Sequence, residues 1–134
     1  MEFKRNEATL NRPEGDRVID APHLFIDLND YIRQIQEEQA WEKNDRNSIT
    51  IYKTERLSMV LVGLHAKATM KHQPVDGISN IQLLQGKASI EVGNEKTDLK
   101  PGNIMTFHSC VDHTLEALDD TFLLLTVDKA DHDS

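Results

Sequence analysis

From Ile49 onward the chain is cut into short β-rich segments by Gly, Pro, Asn and Asp, with no helical pattern between them. The segments run Ile49 to Lys53, Leu57 to His65, Ile78 to Gln85, Ala88 to Val92, Ile104 to Phe107, His113 to Ala117 and Thr121 to Val127. Two of the breaks have turn chemistry of their own. Val92-Gly93-Asn94-Glu95 reads as a tight hairpin, and Lys100-Pro101-Gly102-Asn103 joins a residue that presets φ to one that accepts positive φ. About seven short strands without crossover helices have to pair antiparallel, which predicts a sandwich or barrel.

The preceding part of the chain has a different texture. Residues 1 to about 22 are polar, carry Pro13, Gly15 and Pro22, and show no periodicity, so they read as an arm that is flexible or lies across another surface. Leu28, Tyr31, Ile32 and Ile35 then fall at the i, i+3, i+4, i+7 spacing of one helical face, with Asp27 placed as N-cap and Asp30 in the first turn. The run EKNDRNS at 42–48 reads as the exit, and Trp41, the sole tryptophan, as an anchor under the helix. The expected division is an arm over 1–26, a helix and connection over 27–48, and the β-rich unit over 49–134.

Composition narrows the function classes. At 134 residues the chain has room for one domain with a real core. With 15 Lys plus Arg against 23 Asp plus Glu and a net charge of −8, a phosphate-tracking surface is not expected, and no nucleic-acid partner is predicted. No apolar run approaches the roughly 20 residues of a membrane span, so no membrane partner is predicted either. A lone cysteine, Cys110, and an N-terminus without an apolar signal region point to a cytoplasmic protein.

Side chains alternate along a strand, so Ser79, Ile81, Leu83 and Gln85 share one face and Asn80, Gln82 and Leu84 the other. Ile81 and Leu83 mark the inward face. Likewise His113, Leu115 and Ala117 lie together on the apolar side of their strand, opposite Thr114 and Glu116. The exposed Leu84, on an otherwise polar face, and the added N-terminal segment predict a homodimer.

Two registers in the β-rich half resemble the motifs of the cupin superfamily. Gly102, five residues, His108-Ser109-Cys110, two residues and His113 matches the second motif in spacing, with His108 and Cys110 where the family has Pro and Gly. His72-Gln73-Pro74, four residues, Ser79, six residues and Gly86 matches the first. The two motifs with their linking hairpin cover residues 63–127. The resemblance implies an all-β, RmlC-like double-stranded β-helix, a jelly-roll barrel, with an N-terminal α-helix added and a ligand or metal pocket inside. The family's usual metal set is three His and one Glu. Here His72 and His113 hold two of those places, while Pro74 occupies the second His position and Ser79 the Glu position.

That departure divides the functional readings. Pro offers no donor, and transition-metal sites normally use three or more protein ligands. His72 and His113 would hold Fe, Mn, Ni or Zn only if another group turned inward, the candidates in sequence being His65, Asp76, His108 and Asp112. The leading expectation is therefore a small polar molecule bound inside the barrel. His72, Ser79 and His113 would be its polar contacts, Met70, Ile81, Leu83 and Leu115 the apolar wall, and His108 a cover for the barrel mouth or a loop cap. The alternative is a metal-dependent isomerase or dioxygenase using His72 and His113 as ligands. Cys110, in a turn and without an electropositive setting, reads as structural rather than nucleophilic. Met59, Met70 and Met105 read as core fillers. His65 is expected to face solvent or a partner. With aromatics at 5%, compact polar ligands are favoured over flat heteroaromatic ones.

Overall fold

Burial alternates residue by residue along the strands Arg46–Lys53, Gly77–Gln85 and His113–Ala117, as period-two patterning requires of sheets with a buried face. The computed structural model describes residues 4–5, 18–20, 22–72, 76–108 and 111–129, with 4–5, 18–20 and 72 described as backbone. In chain order the elements are β1 (Lys4–Arg5), β2 (Val18–Asp20), α1 (Leu28–Glu37), α2 (Gln39–Lys43), β3 (Arg46–Lys53), β4 (Leu57–Leu64), β5 (Thr69–His72) and β6 (Gly77–Gln85). They continue with β7 (Ala88–Val92), β8 (Glu95–Leu99), β9 (Ile104–Phe107), β10 (His113–Ala117) and β11 (Thr121–Lys129).

Two antiparallel sheets pack face to face: a larger one ordered β3-β4-β11-β6-β9 and a smaller one ordered β5-β10-β7-β8. Ile81, Leu83, Leu123 and Leu125 from the larger sheet meet Ala88, Ile90, Leu115 and Ala117 from the smaller in one apolar core. Complete burial of each Leu or Ile contributes about 1.5–3 kcal/mol, so this layer dominates the stability of the fold. The predicted hairpin is present: Val92 pairs with Glu95 around Gly93-Asn94. Gln85 departs from the expected alternation and is exposed, because a register shift opposite Phe122 and Leu123 breaks the period there.

The outer face of the larger sheet carries a second core. Ile49, Ile51, Leu61, Phe122 and Leu124 bury against Ile32 and Ile35 of α1, with Trp41, Met59 and Leu84 packed around them. Leu84 is thus partly buried against this outer core, and the reading of it as an exposed patch is corrected. Asp27 caps α1 as expected, its side chain accepting from the backbone N–H of Asn29 at 3.0 Å and of Asp30 at 3.4 Å. The helix stops at Glu38, whose backbone is extended, and α2 follows where the sequence predicts only an exit. A buried polar clasp makes that break. Asn47 Nδ2 donates to the carbonyl of Ile35 at 3.1 Å and to Glu38 Oε1 at 2.9 Å, while Gln34 Nε2 donates to Glu38 Oε2 at 3.3 Å. In the region expected to lack regular structure, β1 and β2 form a short antiparallel ladder; residues 6–17 lie outside the described residues.

Candidate ligand site

The two sheets meet most closely in chemistry at one end, where β10 enters the small sheet and β9 leaves the large one. His113 is the first residue of β10, and the alternation of that strand turns its side chain inward, to 3% exposure. Its ring stacks on Phe107 of β9, centroids 3.8 Å apart and planes 5° from parallel, so this contact spans the two sheets. Phe107 pairs in register with Ser79 of β6, which is also 3% exposed. An imidazole, an aromatic ring and a hydroxyl therefore gather at one end of an otherwise apolar interior.

The other residues named from the sequence distribute around this point. His72 sits directly across from His113 in the β5–β10 ladder, and Met70 directly across from Leu115. Met70 packs partly buried against the core, while Ile81, Leu83 and Leu115 are completely buried within it. His108 is exposed and lines a surface groove of about 320 Å³, together with Val92, Glu95, Met105, Phe107 and Val111. Pro74 and Cys110 lie outside the described residues. Phe107, Glu95 and Val111 were not singled out from the sequence. The two-residue turn already fixes Glu95 opposite Val92, but the stack of Phe107 on His113 depends on how the sheets face each other, which no local pattern encodes.

His65 belongs elsewhere. It follows β4 on the outer side, stacked on Trp41 with centroids 3.7 Å apart, its Nε2 2.6 Å from the carbonyl oxygen of Trp41 and its Nδ1 3.4 Å from Asp120 Oδ1. Asp120 Oδ1 also accepts from the backbone N–H of Ala66 at 2.9 Å. This junction ties α2 to the loop before β11, in place of the solvent or partner contact expected for His65. Beside it, the hydrogen bond from Arg46, supported by the charge of that guanidinium, holds the Asp45 carboxyl below its ordinary value of 3.8. Arg46 Nη2 also donates to the carbonyl of Thr69 at 2.6 Å, linking β3 to β5.

The donor set can be tested against a metal. His113 supplies one buried imidazole, and Ser79, where the family pattern has a carboxylate, supplies a neutral hydroxyl. His65 is engaged at the outer junction, and Asp76, His108 and Asp112 are exposed. Among the described residues no group of three or more His, Cys, Asp or Glu is placed to hold a metal ion. The side chain of His72 lies outside the described ones, and those that are described do not by themselves supply the three ligands of a metal centre.

No protein-family model and no curated protein matches the chain. Solved structures do. A conserved protein of unknown function from Streptococcus pyogenes superposes with a TM-score of 0.65 at 20% identity, over 83% of this chain and 91% of that one. A cupin superfamily protein from Desulfitobacterium hafniense gives 0.62 at 18% identity, over 65% and 80%. A cupin-2 domain containing protein from Shewanella frigidimarina gives 0.61 at 16% identity, over 78% and 94%. The shared architecture is the cupin fold. No helix among the described residues is long and apolar enough to cross a membrane.

Proposed function

We propose that this cupin-fold protein binds a small polar molecule at the end of the sandwich where His113, Phe107 and Ser79 meet, with access through the groove beside His108. The observation that carries the reading is the placement of two buried polar side chains, Ser79 and His113, on the inward faces of opposite sheets at the same end. A few polar side chains converging on an apolar interior are the usual make-up of a small-molecule site, and the imidazole and hydroxyl supply them here. The adjoining groove, about 320 Å³, is within the range of about 300–1,000 Å³ usual for small-molecule sites. Cupin-fold neighbours do not choose among functions, because one fold hosts many chemistries.

Elemental analysis of protein purified without chelator, combined with NMR of the methyl groups of Val92, Met105 and Val111 during a screen of small polar compounds, tests this reading. The expected result is substoichiometric metal and shifts of those methyls, weakened by Ser79→Ala and by His113→Ala. Stoichiometric metal that is lost in both His72→Ala and His113→Ala overturns it in favour of the metal-dependent enzyme.

A homodimer belongs to the same proposal. Ile78 and Ile104 lie exposed on the outer face at the β6–β9 side of the larger sheet, the side away from β3 and β4. A monomeric mass by light scattering at micromolar concentration sinks the dimer without touching the ligand site.

A further inference from the structure

The groove beside His108 carries a charge signature of its own. Its apolar part is Val92, Met105, Phe107 and Val111, and its polar part is Thr97, Thr106, His108 and Glu95. Glu95 is the carboxylate of the set, and no Lys or Arg is among the described residues that line the groove. The position of Glu95 is unusual. In the β7–β8 ladder Ala88 pairs with Leu99, Ile90 with Thr97 and Val92 with Glu95, and cross-strand partners share a face. Ala88, Ile90 and Leu99 are buried in the core between the sheets, and Val92 packs against it. Glu95 therefore occupies the core-side face of β8 at the turn end of the ribbon, where that face is exposed and lines the groove.

We infer that this groove takes a small amphipathic cation, an alkyl- or cycloalkylammonium whose hydrocarbon part lies on Val92, Met105, Phe107 and Val111 and whose ammonium group meets Glu95. The inference rests on the reading of this end of the sandwich as the ligand site and names the charge class of its occupant. A carboxylate beside apolar walls favours a cationic donor over a neutral one, since charge-assisted hydrogen bonds are the stronger kind. It also disfavours an anion. The net charge of −8 steers cations toward the surface in the same sense. At the other end of the same ribbon, a second groove is lined by Lys87, Lys100 and Asp98, so the negative character of the first is local and not shared by every concavity of the molecule.

Three probes of matched shape test the inference: cyclohexylmethylammonium, cyclohexylmethanol and cyclohexanecarboxylate, titrated into the full chain while the methyls of Val92, Met105 and Val111 are followed by NMR. The ammonium is expected to shift them at concentrations about tenfold lower than the alcohol, and Glu95→Gln to erase that difference while leaving alcohol binding in place. Equal or tighter binding of the alcohol or the carboxylate overturns the charge class but leaves the ligand site standing. An ammonium preference that survives Glu95→Gln also overturns it. Because β8 is an edge strand, an inward-facing charge there could serve only to block edge pairing. In that case Glu95→Gln self-associates and the ammonium preference is unaltered. Failure of all three probes to move any of the methyls removes both the inference and the groove as a binding site.

Discussion

Gly86 and Gly102 share the same backbone geometry, φ 94°, yet they predict different penalties. A Cβ on Gly86 would collide with the carbonyl oxygen of Asp120 and come within 2.8 Å of the Cα of Thr121, both backbone atoms that cannot swing aside, whereas a Cβ on Gly102 would meet open space. Gly102→Ala should cost about 1–2 kcal/mol from the dihedral alone, and Gly86→Ala about 1–2 kcal/mol more. Urea denaturation of the two variants checks the order, and a more stable Gly86→Ala refutes the account. A second expectation concerns Asp45. Its carboxyl is held below 3.8 by the hydrogen bond from Arg46, so the charged form is the one favoured by folding. The contribution is present above about pH 4 and fades as pH falls through the folded value, the sense expected for a depressed carboxylate. Carboxyl NMR should show Asp45 titrating upward in Arg46→Met, and an unmoved midpoint excludes the pairing. Both motif glycines and the inward parity of His113 were legible in the sequence, as spacing and alternation. The partner of His113 was not, because Phe107 reaches it from the opposite sheet.

Among the elements, α1 was the most legible and the edge strand β8 the least. Leu28, Tyr31, Ile32 and Ile35 announce one helical face, and Ile32 and Ile35 are the residues that bury. Glu95-Lys96-Thr97-Asp98-Leu99 announces nothing, since on this edge strand Leu99 alone enters the core and the other positions are exposed. β5 escaped for a related reason: four residues, Thr-Met-Lys-His, are too few to show a period. Leu84 was misread because the cover over it is tertiary, supplied by residues far away in sequence. If α1 holds its place through the apolar face, Ile35→Ala should lose about 2–4 kcal/mol, while Asp27→Ala, which removes only the cap, should lose about 1 kcal/mol. Thermal unfolding of the pair decides whether packing or capping governs the helix, and equal losses would place the weight on the cap.

For the molecule as a whole, the larger sheet is the shared wall of two cores. Along β11, Phe122 and Leu124 serve the outer core under α1, while Leu123, Leu125 and Val127 serve the core between the sheets. Leu61 and Val62 divide in the same way along β4. Neither face can be stripped without loosening strands that build the other, and the His113–Phe107 stack and the Arg46–Thr69 hydrogen bond tie the smaller sheet to the same wall. This coupling predicts a single cooperative transition, as small domains with one continuous wall usually show. Trp41, the sole tryptophan, packs at the outer core between His65 and Phe122, so its fluorescence reports that layer, while far-UV circular dichroism reports the strands of both sheets. In a urea titration the two signals should trace one curve, and Ile35→Ala should move both midpoints by the same amount. A fluorescence midpoint that falls below the circular dichroism midpoint, or that alone responds to Ile35→Ala, would mean that the helical layer unfolds from an intact sandwich, and the shared-wall account would be wrong.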